Sequence, residues 1–259
     1  MYKNALGTSL NDILLEKDIK SICFDLDNTL LDTDNYYVKI KNAVFKDFVD
    51  TYFDENEREE KLKKLEEAAS SRYKYRHQHG LKPPLIFEEC YVTITDSFPD
   101  LSDDRLEEII HKHTDNFYKL SPEIYPNAVK LLDFLAETDS ISHIFGATDA
   151  QEDWSRIKVQ YILSKTKLKD FLYYSTDLKI RKDPKWWLSI FADHGTNPEN
   201  IMVVGDNYYA DVYSSLLAGV KHAIWINKYG KSLDDFTEYP LPKHAEIIVV
   251  GSLEEILKL

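Results

Sequence analysis

From Pro126 to the C-terminus, short apolar runs alternate with segments of helical periodicity. This alternation predicts an α/β fold with a parallel sheet, because parallel strands need a crossover connection that is usually a helix on one face of the sheet. The expected strands are Ser142–Ala147, Phe171–Ser175, Ile201–Val204, Ala223–Ile226 and Glu246–Val250. The expected helices are Pro126–Glu137, Asp153–Leu163, Pro184–His194, Tyr209–Ala218 and a closing C-terminal helix.

A strand-free stretch, residues 35–120, interrupts this pattern. The buried run Lys20–Asp25 precedes it and reads as the first strand of the sheet. Within the stretch, four sets of apolar residues recur every three or four positions, which predicts a bundle of four amphipathic helices. Ser102 is the expected N-cap of the fourth helix. We therefore expect an inserted helical domain, 35–120, and a core domain formed by residues 1–34 and 121–259.

Charge and cysteine content exclude several classes of protein. The 259 residues carry a formal net charge of −13, which disfavours general binding to a nucleic-acid backbone. Cys23 and Cys90 are too few for a disulfide framework. The sequence shows neither a signal-like N-terminal stretch nor an apolar run long enough to cross a bilayer. We expect a cytoplasmic protein with neither a nucleic-acid nor a membrane partner.

Two carboxylates follow the first strand directly, in the run Asp25-Leu26-Asp27-Asn28-Thr29-Leu30. They can converge on one centre if the backbone turns after the strand. Asp25 is then placed to attack phosphorus, and Asp27 to move a proton. The alternative is an ordinary polar turn at a strand end.

Two other expected strands also end in polar side chains. Thr148 follows Ile144–Ala147 and can donate a hydrogen bond to a phosphate oxygen. Asp206 follows Val203–Gly205 and can complete a hard oxygen site suited to magnesium. Asp211 comes five residues later, near the start of a helix. Because open α/β sheets bind ligands at the carboxyl ends of their strands, these residues are expected to share one site.

A cation is expected in the loop before the helix that starts at Pro184. Asp183 is the expected N-cap of that helix, with Pro184 at its first position. Lys182 then lies where it can meet both a carboxylate and a phosphate. Lys179 and Arg181 are alternatives for the same role.

The order and spacing of these motifs resemble the haloacid dehalogenase-like superfamily, most of whose members are phosphatases. The resemblance covers nearly the whole chain and is strongest at the Asp25 and Asp206 motifs. Thr148 matches by position. The lysine motif is the loosest, since many relatives have Lys-Pro-Asp-Pro where residues 181–184 of this chain read Arg-Lys-Asp-Pro. The resemblance implies a Rossmann-like, doubly wound core with an inserted α-helical cap of the C1 type.

The resemblance also implies a role for each motif. Asp25 becomes the phosphorylated nucleophile, while Asp27 protonates the leaving oxygen and then activates water. Thr148 and Lys182 hold the transferring phosphoryl group.

A magnesium ion completes the implied site. Its ligands are the side chains of Asp25 and Asp206 and the backbone carbonyl of Asp27, with Asp211 nearby to orient a water or the lysine. Elementary electrostatics supports this set, because a carboxylate that attacks an anionic phosphate needs positive charge to offset the repulsion.

Asp27 favours phosphoryl transfer over dehalogenation. The dehalogenases of this superfamily lack a carboxylate at that position, because no oxygen leaving group needs a proton. A phosphatase is therefore expected, and a phosphomutase remains an alternative because the two differ in whether water is excluded. A non-catalytic binding protein on the same scaffold is the alternative from another class.

The expected substrate is a small phosphorylated metabolite, such as a nucleotide or a sugar phosphate. Tyr75, Arg76 and His77 lie in a basic, aromatic segment of an acidic protein. Arg can bind a second phosphate or a carboxylate, and Tyr can stack on a ring; the alternative is a solvated helix end. Thr29 and Asp149, beside the first two motifs, are also expected to contact the substrate.

Overall fold

The computed structural model describes residues 9–78 and 85–259. A π-helical turn, Tyr208–Tyr213, directly precedes the ninth helix. In chain order, the helices and strands are α1 Leu10–Glu16, β1 Ser21–Asp25, α2 Thr33–Tyr52, α3 Arg58–Gln78, α4 Ile86–Ser97, α5 Asp104–Thr114, α6 Pro126–Ala136, β2 His143–Thr148, α7 Glu152–Lys165, β3 Leu172–Ser175, α8 Pro184–His194, β4 Ile201–Gly205, α9 Ser214–Leu217, β5 His222–Ile226, β6 Glu246–Val250 and α10 Leu253–Ile256.

The chain forms two compact units. One comprises the chain up to Thr33 together with Ser121–Leu259, and it contains the sheet. The other is Asp34–Leu120, whose described residues form helices and the turns between them. The helical unit is thus inserted into the chain between β1 and β2.

Six parallel strands form the sheet, in the order β3-β2-β1-β4-β5-β6. Phe24 of β1 lies opposite Gly146 of β2 on one side and Val204 of β4 on the other. The chain adds strands on one side of β1 as far as β3 and then crosses to the other side at β4. The topological switch point, where such sheets bind ligands, therefore lies between β1 and β4.

Apolar helices cover both faces of the sheet. All residues of β1 are buried; Ile22 and Phe24 belong to the core on one face, and Cys23 to the core on the other. Burial on both faces is characteristic of the central strands of a doubly wound sheet. The expected α/β, Rossmann-like, doubly wound fold is confirmed. Residues from the covering helices include Leu14, Leu131 and Ile162 on the first face and Ile190 and Leu216 on the second.

Aromatic packing holds the helical unit together. The ring of Phe48 lies 4.9 Å from that of Tyr52 and 5.7 Å from that of Phe98. The N-cap expected at Ser102 is wrong by one residue: the carboxylate of Asp103 accepts the backbone N–H of Leu106, in the first turn of α5, at 3.0 Å. Asp103 has the extended backbone that an N-cap requires, and both residue types make good caps. Within the described ranges, every helix is too short or too polar to cross a bilayer.

The segment after β4 departs from the regular helix expected there. It opens with the π-helical turn and only then becomes α9. Ser215 donates a hydrogen bond to the carbonyl of Val212 at 3.0 Å, inside this widened turn. Such turns are rare and are often found at functional sites, and this one contains Asp211.

Candidate active site

The carboxyl ends of three neighbouring strands bring Asp25, Thr148 and Asp206 to one edge of the sheet. Asp25 pairs with Ala147, so Thr148 extends one residue beyond it on β2. On the other side, Phe24 pairs with Val204, and Asp206 follows just beyond the end of β4. The three sequence motifs therefore meet at the switch point of the sheet.

A tight turn after β1 places the second carboxylate. The N–H groups of Leu30 and Leu31 both bind the carbonyl of Leu26, at 3.0 and 2.9 Å. Asn28 lies within the turn at φ +61°, a left-handed conformation that Asn tolerates better than most residues. The turn brings the carboxylate of Asp27 within hydrogen-bonding distance of the end of β2.

Lys182 places a buried positive charge beside Asp25. Its Nζ donates to Asp25 Oδ1 at 2.6 Å, to Asp211 Oδ1 at 2.5 Å and to the carbonyl of Ala147 at 3.3 Å. An ammonium has three donors, so this buried side chain is fully satisfied. The alternative Lys179 is exposed and forms an ion pair with Asp177.

Asp211 lies directly on the backbone of β4. Its Oδ1 accepts from Lys182, and its Oδ2 accepts from the N–H of Asn207 at 2.9 Å. A Cβ at Gly205 would lie 2.3 Å from Asp211 Oδ2. Glycine is therefore required at the end of β4, because any side chain there would displace the carboxylate.

The carboxylates at this edge fit a divalent cation. Asp25, Asp206 and Asp211 each offer an oxygen, and these oxygens lie within 4.8 Å of one another. Asp25 Oδ2 is buried and accepts no hydrogen bond from the described residues. A free carboxylate oxygen beside a second carboxylate is the kind of donor set that magnesium prefers. Both oxygens of Asp211 already accept hydrogen bonds, whereas Asp25 keeps one oxygen without a hydrogen bond, so Asp25 can offer that oxygen to the ion.

The site is rich in negative charge. Burial raises the pKa of Asp25 well above its ordinary value, opposed by the charge of Lys182 and reinforced by the neighbouring carboxylates. Burial also disfavours the charged form of Lys182, but Asp211 and Asp25 outweigh it and raise the pKa of the lysine well above its ordinary value. A further positive charge beside Asp25 would therefore stabilise its ionised form.

Asp27 is held by three side-chain hydrogen bonds. Its Oδ1 accepts from Thr33 at 2.6 Å and from Lys158 at 2.5 Å, and its Oδ2 accepts from Thr148 at 3.1 Å. Burial acts to raise the pKa of Asp27, but the charge of Lys158 and the three hydrogen bonds outweigh it and lower that pKa. The structure therefore presents Asp27 as a fixed carboxylate.

A family profile of the haloacid dehalogenase-like hydrolases matches residues 22–225, most of the chain, and so spans all of these motifs. The chain belongs to the haloacid dehalogenase-like hydrolases. Membership of the superfamily, expected from the motifs, is confirmed. No curated protein has a significantly similar sequence.

Solved structures of other haloacid dehalogenase-like proteins share the fold. The putative hydrolase YfnB from Bacillus subtilis, determined with bound magnesium, has a TM-score of 0.59 at 14% identity, over 93% of this chain and 99% of that one. A putative β-phosphoglucomutase from Thermotoga maritima gives 0.57 at 16%, over 93% and 97%. A 2-haloacid dehalogenase from Pseudomonas syringae pv. Tomato gives 0.53 at 19%, over 93% and 98%. Identities this low show the fold alone, and the fold serves more than one chemistry.

The sequence motifs did not identify two residues that bind Asp27, Thr33 and Lys158. Lys158 lies in the middle of α7, ten residues along the chain from the end of β2. A signal was present, because Lys158 falls on the apolar stripe of that helix, where a lysine needs a partner. The buried residues of α7 are Trp154, Ser155, Lys158, Val159 and Ile162.

The remaining candidate residues lie in two places. Thr29 is buried, and its hydroxyl has no hydrogen-bond partner among the described residues, while Asp149 accepts the backbone N–H of Lys182 at 3.2 Å. Tyr75 is exposed on α3 of the helical unit. Arg76 and His77 belong to the same helix, but their side chains lie outside the described part of the structure. The substrate contacts of all five stay predictions.

Proposed function

We propose that this haloacid dehalogenase-like hydrolase is a magnesium-dependent phosphatase that acts on a small phosphomonoester through an aspartyl phosphate on Asp25. One observation carries the proposal: a second carboxylate, Asp27, is fixed two residues from Asp25 at the same edge of the sheet. Release of an alcohol needs a proton on the departing oxygen, whereas release of a halide does not. A fixed Asp27 therefore favours phosphoryl transfer over dehalogenation.

In the first step, a carboxylate oxygen of Asp25 attacks phosphorus and the bond from phosphorus to the leaving oxygen breaks. The hydrogen bonds of Asp27 favour its carboxylate form, so Asp27 must take up a proton from solvent before this step; it then gives that proton to the departing oxygen and becomes a carboxylate again. Lys182 and Thr148 are the proposed donors to the transferring phosphoryl group; to serve it, each would exchange a present hydrogen bond, to Ala147 and to Asp27 respectively, for one to a phosphoryl oxygen. The charge of Lys182 offsets the repulsion between Asp25 and the anionic substrate.

In the second step, Asp27 takes a proton from water as the water oxygen attacks phosphorus. The bond from phosphorus to Asp25 breaks, inorganic phosphate leaves, and both aspartates return to their starting forms. The hydrogen bonds from Thr33, Thr148 and Lys158 stabilise ionised Asp27, which is the form required at the start of this step.

Asp25 and Asp206 are the side chains proposed to hold magnesium, with the backbone carbonyl of Asp27 as a further ligand. When bound, the ion would supply positive charge to the phosphoryl oxygens. The unsatisfied Oδ2 of Asp25 is the observation that supports this assignment. Asp211, which binds Lys182 through Oδ1, is proposed to orient that lysine.

The proposed substrate is a small phosphorylated metabolite, a nucleotide or a sugar phosphate. The test is a panel of nucleoside monophosphates, sugar phosphates and phosphoglycolate, with and without magnesium, in wild type and Asp25→Asn. We expect magnesium-dependent release of phosphate that falls by about 10⁴-fold or more in the variant, since removing a nucleophile abolishes the covalent route. Asp153→Asn, on the surface of α7, is the matched control and should retain activity.

Three outcomes would redirect the proposal. Full activity in Asp25→Asn would reject the covalent mechanism. Transfer of the phosphoryl group between positions of a sugar, without release of phosphate, would identify a phosphomutase. Halide release from 2-haloacids, with every phosphate ester inert, would identify a dehalogenase.

A further inference from the structure

We propose that Lys158 is a positioning residue that holds the Asp27 carboxylate in place for its work on the leaving group. The inference rests on the proposed phosphatase function and deepens it. Lys158 would not touch the substrate; it would act through Asp27.

Among the described residues, Lys158 forms one ion pair, with Asp27. The side chain is 0% exposed, and its Nζ lies 2.5 Å from Asp27 Oδ1. On its other side, Nζ lies 3.3 Å from the centre of the Trp154 ring, one helical turn earlier on α7. Burying an ammonium is costly unless it is paired. An aromatic face and a carboxylate together offset part of that cost and fix the direction of the lysine.

A second aromatic–lysine pair on α7 shows which feature of the Trp154–Lys158 pair is unusual. Tyr161 and Lys165 have the same four-residue spacing, and Nζ of Lys165 lies 5.3 Å from the tyrosine ring. Lys165 is exposed, however, and lies at the last residue of the helix. The spacing alone is therefore ordinary helix geometry, whereas the burial of Lys158 and its ion pair with Asp27 are specific to the site.

The donors to Asp27 come from three separate elements. Thr33 begins α2, Thr148 ends β2 and Lys158 lies in the middle of α7. Both carboxylate oxygens are bound, so the carboxylate can neither rotate nor swing away without breaking a hydrogen bond. Lys158 is the charged donor of the three, and charge-assisted hydrogen bonds are about twice as strong as neutral ones.

The inference predicts a loss that depends on the leaving group. Lys158→Met keeps the length and the apolar stem of the side chain but removes the donor. For an alkyl phosphate such as glycerol 2-phosphate, whose alkoxide needs a proton, kcat/KM at its pH optimum should fall by about 100-fold, within the range typical of general acids, because a misplaced Asp27 loses more than its easier protonation without Lys158 restores. For p-nitrophenyl phosphate, whose leaving group departs without a proton, kcat/KM should fall by less than about threefold. The value kcat/KM is the right measure because it covers only the steps up to departure of the leaving group.

Asp27→Asn provides the second arm of the experiment. Because Lys158 acts through Asp27, adding Lys158→Met to Asp27→Asn should cost less than about twofold more on the alkyl ester. Lys165→Met is the matched control on the same helix and should leave both esters unchanged. Lys158→Arg, which keeps a cation, should preserve the ratio between the two esters better than Lys158→Met does, and it serves if the methionine variant fails to fold.

The results separate the two proposals. If wild type hydrolyses no phosphate ester of the panel with magnesium, or Asp25→Asn keeps its activity, the proposed function is wrong, and so is the inferred role of Lys158. If wild type hydrolyses both through Asp25 but Lys158→Met loses equally on the two esters, Lys158 has only a structural role. Additive losses in the double variant would overturn the inference in the same way.

Discussion

Two buried lysines of this hydrolase bind the two aspartates, Asp25 and Asp27, at and just after the end of β1, and they are held in different ways. Lys182 donates to two carboxylates and a backbone carbonyl, whereas Lys158 donates to one carboxylate and faces an aromatic ring. Burial disfavours the charged form of both. In Lys182 the two carboxylates win and the pKa is raised, while in Lys158 burial outweighs Asp27 and the pKa is lowered.

The difference teaches that burial of a lysine does not by itself define its role. Lys182 neutralises a cluster of negative charge, so its removal leaves carboxylates facing one another. Lys158 pairs with the carboxylate of Asp27, so its removal leaves that carboxylate with the hydroxyl donors Thr33 and Thr148. Lys182 is therefore expected to matter for the balance of charge in the site, and Lys158 for the position of the Asp27 carboxylate.

Loss of Lys182 should have the larger effect. Lys182→Met leaves Asp25 and Asp211, whose side chains are 7% and 1% exposed, without their shared counter-ion. Breaking a buried pair on one side costs about 3–5 kcal/mol of unfolding free energy. Urea denaturation with a chelator present measures this loss, and phosphatase activity should fall together with stability.

Lys179→Met, at an exposed ion pair in the same loop, is the control and should change the unfolding free energy by less than about 1 kcal/mol. A loss of similar size in both variants would show that the buried cluster is not special.

The contrast between the two lysines also explains what the sequence could predict. Asp25, Thr148 and Asp206 follow apolar runs directly, and the ends of neighbouring parallel strands must meet, so their convergence follows from the order of the motifs. The helix cap at Asp183 is visible in the sequence, but it left Lys179, Arg181 and Lys182 as alternatives for the cation; only the structure shows Lys182 bound to Asp25.

Other features depend on packing between elements that are distant in the chain. The partner of Lys158 is 131 residues away in the chain, and only the tertiary packing of α7 brings the two side chains together. Likewise, the hydrogen bond from the hydroxyl of Thr148 to Asp27 could not be predicted, because side-chain direction at a strand end depends on the loops around it. The N-cap at Asp103, rather than at Ser102, was decided by the local backbone, since either side chain can serve.

Magnesium should stabilise the folded protein by less than the unfolding free energy that is lost in Lys182→Met. If Asp25 and Asp206 hold the ion, magnesium at 100 times its dissociation constant adds about 2.7 kcal/mol to the unfolding free energy. Thermal denaturation with and without magnesium measures this as a rise in Tm. Asp206→Asn should abolish most of the rise, while Asp234→Asn, far along the chain from the strand-end motifs, should keep it. An equal rise in both variants would mean that the ion binds elsewhere.

Removal of Lys158 should have the smallest effect on stability. The side chain of Asp27 is 25% exposed and keeps Thr33 and Thr148, so water can replace the lost donor in Lys158→Met. The methionine also leaves no buried ammonium to compensate. We therefore expect a loss of about 1–3 kcal/mol, the range for one lost buried partner, and less than the loss in Lys182→Met under the same conditions. Urea denaturation of the two variants side by side measures the difference. If Lys158→Met is the less stable of the two, Lys158 is mainly a structural anchor, because a residue whose chief task is to orient Asp27 should affect catalysis more than folding.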